Sequence, residues 1–302
     1  MSQDRNWDTL LPQTTASGDV DLLRQQLNSC PAHKLRNELI LEMLENIFDR
    51  GSKDLSLELA KLIVGNIKEV RKQSLAFLNY ENLEKIMEKA IEKDNVPLME
   101  YLLGLSGRLE DGQMPSYGWS DLRSRKDIKQ VGPRSVSMMR VLVQNGFNIN
   151  KRAHEHTTLH FALASPYTDD ESVQLIKYLA SRIHDINQTD EHGYTPLHAW
   201  LHETQEDRWR GKQDVIRKIT THLLDNHASL AATAKEENGD TPLHFVVQSA
   251  SPSLVELFLS RGANKYARNN LKDEKTPLDY AQPFKKNSAD SDEQEVYALM
   301  ME

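Results

Sequence analysis

The stretch that decides the reading is NQTDEHGYTPLHAWLHE, Asn187–Glu203. His198 and His202 lie four apart, with Glu203 beside the second. On a helix that spacing puts two imidazoles on one face, about 6 Å apart, as a zinc site requires. The tetrad inside it, Thr195–His198, opens a different reading because it recurs. TTLH occupies Thr157–His160, TPLH occupies Thr195–His198 and Thr241–His244, and TPLD occupies Thr276–Asp279, at intervals of 38, 46 and 35 residues. Each tetrad starts a short apolar run, and a polar break and a second apolar run follow.

The second runs are Ser135–Asn150, Glu171–Asn187, Asp214–Leu230 and Ser253–Tyr266. Their apolar residues return with helical rather than strand spacing. Three end at a residue that accepts positive φ (Gly146, His227 and Gly262), the usual way to stop a helix. Ile183 stands at that place in the fourth, so its helix is expected to end differently. The unit is helix, turn, helix, extended loop. A proline at the first helical position gives up an amide that has no helical partner, and the threonine before it can cap the helix.

This pattern resembles the ankyrin repeat, with its period of about 33 residues and its T-P-L-H-x-A signature. NQTDEHGYTPLH and NGDTPLH (Asn238–His244) carry the match best. The resemblance implies an all-α fold, a solenoid of stacked helix-turn-helix units joined by loops or hairpins. It implies structural roles for Thr157, His160, Thr195, His198, Thr241, His244 and Thr276, with the three histidines turned inward to bond the threonine and nearby backbone. It also implies a protein partner, met by loop tips and first helices. Here those would be Arg152, His154, Asp190, Glu191, Glu236, Glu237, Asn269 and Asn270, with Phe161 and Phe245 on the helices.

Against a 33-residue period the intervals carry insertions, and the helix registers place them inside a repeat, at Ser165–Glu171 and His202–Asp214. The longer one carries Arg208, Trp209 and Arg210, residue types that dominate binding hot spots. Either Trp209 covers its own repeat or it meets a partner. Trp200, where the family has a small residue, is expected to fill the space the insertion opens. Deleting residues 203–213 is expected to leave the solenoid folded. The last unit has Asp279 for histidine and no recognisable second helix of normal length, which reads as a terminal cap.

Three regions follow: a helical N-terminal region, 1–134; ankyrin repeats, 135–284; and an acidic tail, 285–302. The first lacks TPLH but shows helical runs at Ser17–Leu27, Leu55–Gly65 and Asp94–Leu105. It is either a degenerate continuation of the repeats or a separate helical domain. Arg108–Arg134 reads as a long, locally basic loop, solvated or touching an anionic partner. Within the tail, Asn287–Glu302 holds five acids and no base, a composition that favours disorder. It is similar to the translocation signals of effectors that intracellular bacteria deliver by type IV secretion, which implies a host protein as partner.

A net charge of −8 disfavours nucleic acid as a general partner, since a phosphate backbone needs basic surface. With Cys30 as the one cysteine, neither an internal disulfide nor a thiolate zinc cluster can form. No secretory signal is visible, and no run reaches the roughly 20 apolar residues of a membrane span. The expected location is therefore the cytoplasm, or a host cytosol reached without a cleaved signal. Phosphate-binding loops, nucleophile elbows, H-E-x-x-H and kinase motifs are absent. Neither metal nor cofactor is expected. The expectation is a non-catalytic binding scaffold. The alternative is an enzyme with a divergent catalytic N-terminal half, whose only thiol is Cys30.

Overall fold

The computed structural model describes residues 6–48, 52–70, 78, 80–106, 133–152, 156–165, 169–206, 209–235, 238–270, 272–284 and 290–302. Two compact units divide at Asn148 and Ile149. Among the described residues there is no strand; an isolated bridge joins Ala234 and Asp240. The fold is all-α.

The first unit holds α1 (Trp7–Ser17), α2 (Val20–Ser29), α3 (Asn37–Glu45), α4 (Lys53–Gly65), α5 (Tyr80–Glu92), α6 (Val96–Ser106) and α7 (Val136–Gln144). Helices α1, α3 and α5 pack in succession as one layer; α2, α4, α6 and α7 form the other. The three runs expected from sequence are α2, α4 and α6. The same turn chemistry starts several of these helices. Asp19, Ser52, Asn95 and Ser135 each accept a hydrogen bond from the backbone amide three residues on, filling one of the helix's orphan donors. Gly18 and Asp94, directly before two of these caps, take φ of 73° and 49°. That left-handed residue folds the chain back between paired helices. Leu23, Leu27, Ile40, Met43, Leu59, Ile63, Leu98 and Leu102 fill the space between the layers.

The second unit repeats the arrangement with α8 (Thr158–Ala164), α9 (Asp170–Ala180), α10 (Pro196–Glu203), α11 (Gln213–Asp225), α12 (Pro242–Gln248), α13 (Pro252–Ser260), α14 (Pro277–Ala281) and α15 (Ser291–Met301). The even-numbered helices pack in succession, and so do the odd-numbered ones, with each pair side by side. Leu159, Leu197 and Leu243, the third residue of each tetrad, are buried in the core.

The helix stops follow the sequence. After α11 and α13, His227 and Gly262 take φ of 68° and 85°, and in the first unit Gly146 ends α7 with φ 109°. In each case the next amide bonds back five residues, from Phe147 to Leu142, Ala228 to Leu223 and Ala263 to Phe258, all at 3.0 Å. This is the Schellman pattern. Ile183 does not take positive φ and bonds Leu179 four residues back, so α9 ends on a simple turn.

The C-terminus departs from expectation. Ser291–Met301 is a helix, capped by Asp290 and packed on α13 and α14 through Val296 and Met300, both buried. Two apolar residues four apart, on one helical face, outweigh the acidic composition. Helix α15 thus completes the last repeat in the place of its second helix.

Candidate functional site

The tetrads build capping boxes at the starts of α8, α10, α12 and α14. Nδ1 of His160, His198 and His244 accepts from the amide of the threonine three residues before, at 3.2, 3.4 and 3.0 Å. The threonine hydroxyl lies 2.8–2.9 Å from the same nitrogen. That pattern assigns the proton to Nε2, which points to the following repeat. His160 Nε2 donates to the Tyr194 carbonyl at 3.0 Å, and His244 Nε2 to that of Lys275 at 3.2 Å. Both acceptors sit one residue before the next threonine. His198 keeps the register toward Asp240, but no hydrogen bond closes on its buried Nε2.

Burial pushes the His160 and His198 imidazoles down to about 4, against partial relief from nearby backbone acceptors and the Asp190 charge. His244 is lowered by the same cause. A second proton would sit on Nδ1, opposite two donors, so the site holds the ring neutral. In the fourth tetrad the Asp279 carboxylate takes the role, accepting from the Thr276 hydroxyl and amide at 2.7 and 2.8 Å. Those bonds hold its carboxyl below the usual range.

Between repeats the chain makes a hairpin closed by Asp190 N to Tyr194 O, Ala234 N to Asp240 O, and Asn269 N to Lys275 O, at 2.9–3.0 Å. Gly193 and Gly239 turn the first two, with φ of 79° and 75°. A Cβ on Gly193 would lie 2.8 Å from Lys235 Cβ, and one on Gly239 would lie 2.4 Å from Asn270 Nδ2. The tips are therefore stacked at backbone distance. Asn187 ties two loops together, donating to His227 O and accepting from Ser229 N.

The expected contact residues separate by burial. Arg152, Glu191, Arg210 and Asn270 are exposed, although Arg152 also donates to Thr189 O at 2.6 Å. Phe161, Asp190, Phe245 and Asn269 are buried. Asp190 accepts from the His192 and Tyr194 amides and faces His156 Nε2 at 3.7 Å. Asn269 donates to the Asp240 carboxylate at 2.7 Å. These four side chains hold the loops and helices and are not presented at the surface. His154, Arg208, Glu236 and Glu237 lie outside the described residues, as does most of the basic loop at Arg108–Arg134.

Trp209 is 2 % exposed and lies against Trp200, ring centroids 4.8 Å apart and nearly perpendicular. The Trp200 indole donates to Thr220 Oγ1 at 2.9 Å. The insertion thus folds a second indole into its own repeat, the first of the two readings the sequence allowed. His202 stacks on Tyr194 at 6.2 Å. His198 is committed to its cap, so the two imidazoles four apart do not form a pair. Among the described residues no group of three or more His, Cys, Asp or Glu is arranged to hold a metal.

Sequence reasoning missed Asp240 and Tyr280. The Tyr280 hydroxyl donates to the buried Asp240 carboxylate at 3.1 Å, and its ring lies edge-on to His244. Burial first, then the Asp240 charge, pushes this phenol up to about 12. Asp240 stands directly before its tetrad, the one signal that was available.

Paired helices opened by a Thr–His capping box, stacked in two layers and joined by hairpins, define a helical-repeat protein. Residues 238–270 match the family model described as ankyrin repeat. Residues 238–270 thus carry an ankyrin repeat, and the helix pairs around them repeat its architecture. It is 30% identical over 132 residues to a poly [ADP-ribose] polymerase tankyrase of Caenorhabditis elegans, covering 39% of this chain and 6% of that protein. It is 34% identical over 61 residues to a putative ankyrin repeat protein of Acanthamoeba polyphaga mimivirus, covering 20% of this chain and 3% of that one. The chain thus spans a small fraction of the length of either relative. No helix among the described residues is long and apolar enough to cross a membrane.

Proposed function

We propose that the chain is a non-catalytic binding scaffold whose second unit grips a protein through its loop tips. The observation that carries this is the fixed stacking of the hairpins. Buried histidines and close-approach glycines hold the tips in register, while Arg152, Glu191 and Asn270 stay exposed and differ in charge. Arg210, on the insertion, presents a fourth side chain elsewhere. A rigid frame with variable exposed positions gives specificity at little ordering cost. The two helical layers of the first unit favour degenerate repeats there over an unrelated helical domain.

The test is affinity capture from lysate with mass spectrometry. Arg152→Ala, Glu191→Ala and Asn270→Ala together are expected to abolish capture with no change in melting temperature. Capture that survives them removes the loop-tip reading. We place the activity in the cytoplasm, or in a host cytosol, with the acid-rich C-terminal stretch as support for delivery there. An enzyme in the N-terminal half has less support. The Cys30 thiol is buried at the end of α2, with Sγ 3.6 Å from the Pro31 carbonyl, a poor position for a nucleophile.

A further inference from the structure

The second unit has another concave feature, away from the hairpin tips. Three cavities of about 380, 430 and 470 Å³ run along α13. The first and second share Gln213 and Ser251, and the second and third share Glu256 and Leu299. Together they form one groove, walled by the α10–α11 insertion at one end and by α15 at the other.

Charge and apolar surface are laid out unevenly along it. Glu206 lines the first section, Glu256, Asp292 and Glu295 the second, and Glu302 the third. The cations lining it are Arg210 at one end and Lys265 at the other. Lys265 is already engaged: its ammonium donates to the Met300 carbonyl at 3.1 Å and lies over the Tyr266 ring. Arg217 approaches Glu256 at 3.7 Å and bonds the Ser253 carbonyl from outside the lining. The groove is left with an acidic excess. Its apolar lining lies mainly in the third section, with Leu259 and Leu299, while the first is mostly polar with Ile216 and Leu254 buried beneath it. The first section also contains Trp209, whose buried indole N–H has no hydrogen-bond partner.

We infer that this groove is a docking site for a basic peptide segment in which lysine or arginine alternates with apolar residues. Cationic side chains meet the glutamates, apolar ones reach the leucines of the third section, and a main-chain carbonyl supplies the acceptor that Trp209 lacks. The nine residues of α13 span about 13 Å, the reach of about four residues of extended chain. A peptide of eight covers it with ends to spare. The site does not depend on the loop tips.

The test uses a fluorescein-labelled octapeptide of alternating lysine and leucine, titrated with the full chain and followed by anisotropy. Binding is expected, weakening steeply with added salt. Glu206→Gln with Glu295→Gln is expected to weaken it about tenfold, and Trp209→Phe about threefold through the lost donor. Glu171→Gln with Asp273→Asn, which removes two exposed acids elsewhere, is expected to leave it unchanged. Melting temperatures verify that each variant is folded. No binding, equal binding of a glutamate–leucine octapeptide, or equal weakening by both charge pairs overturns the inference. Weakening by Arg152→Ala with Asn270→Ala instead assigns the peptide to the loop tips and also overturns it.

Discussion

In the second unit two of the three tetrad histidines reach the next repeat's backbone from inside the core. In the first unit the equivalent ties come from other groups. Asn95 Nδ2 donates to Lys53 O at 3.0 Å, Lys89 Nζ to Glu45 O at 3.1 Å, and Ser135 Oγ to Asp94 at 2.6 Å. Their partners lie 41–44 residues apart in sequence, close to the interval between tetrads. Both units stack helix pairs in two layers and fold back through left-handed residues. The difference lies in where the polar tie is placed. A buried imidazole must be capped locally by a threonine, so it leaves a four-residue signature. Asn95 and Ser135 are buried too and cap their own helices through the Leu98 and Met138 amides, but a single Asn or Ser before a helix is a common start and leaves no four-residue signature.

The comparison is broken most severely through the core. Trp209→Ala is expected to cost about 3–5 kcal/mol and Leu197→Ala about 2–5 kcal/mol, read by urea unfolding of the second unit. The burial of Trp209 also changes the expectation for removing residues 203–213. That deletion now takes out a core side chain and leaves Trp200 uncovered, so it is expected to destabilise the unit. A deletion as stable as the intact chain would show that Trp200 closes the repeat alone.

Acid gives the next largest effect. His160 and His198 titrate near 4 when folded and near 6.5 when unfolded. Between those values the unfolded chain binds more protons, so stability falls as pH drops from 6.5 to about 4. The loss approaches about 3 kcal/mol for each ring. Hydrogen exchange at pH 7 and pH 4.5 is expected to show the second unit loosening more than the first, whose one histidine, His33, is exposed. Equal loosening would place the acid sensitivity in carboxylates.

Gly239→Ala is expected to cost about 1–2 kcal/mol, since φ is positive and Asn270 occupies the space; a thermal melt measures it. Smallest is Asn95→Ala, about 1 kcal/mol through the lost cap. If it costs as much as breaking a histidine tie, the two units are held more alike than their chemistry suggests.

The legible part of the fold was the part with local chemistry. Thr195-Pro-Leu-His198 reveals its helix start, and Gly146, His227 and Gly262 reveal their helix stops, because each satisfies backbone groups within a few residues. Helices α1, α3 and α5 were not recognised; α1 and α3 start without a side-chain cap, and their positions rest on burial against neighbours. The burial of Phe161 and Asn269 was illegible, since the family resemblance placed both among the contacts, and for Trp209 the sequence left two readings open. Packing across 9 residues for Trp209 and 29 for Asn269 turned these two inward. Asp240 meets Tyr280 across 40 residues, a pairing no local pattern announces.

The direction of the histidine ties has a consequence during synthesis. As the chain emerges from its N-terminus, His160 can cap its own helix at once. Its second nitrogen must wait until Tyr194, 34 residues later, has been made and its hairpin closed. Each such repeat is therefore left one bond short until its successor arrives, and the growing stack is always least complete at its newest edge. At the last tetrad the imidazole is replaced by Asp279, whose carboxylate bonds Thr276 within its own tetrad. There the dependence on a following repeat stops.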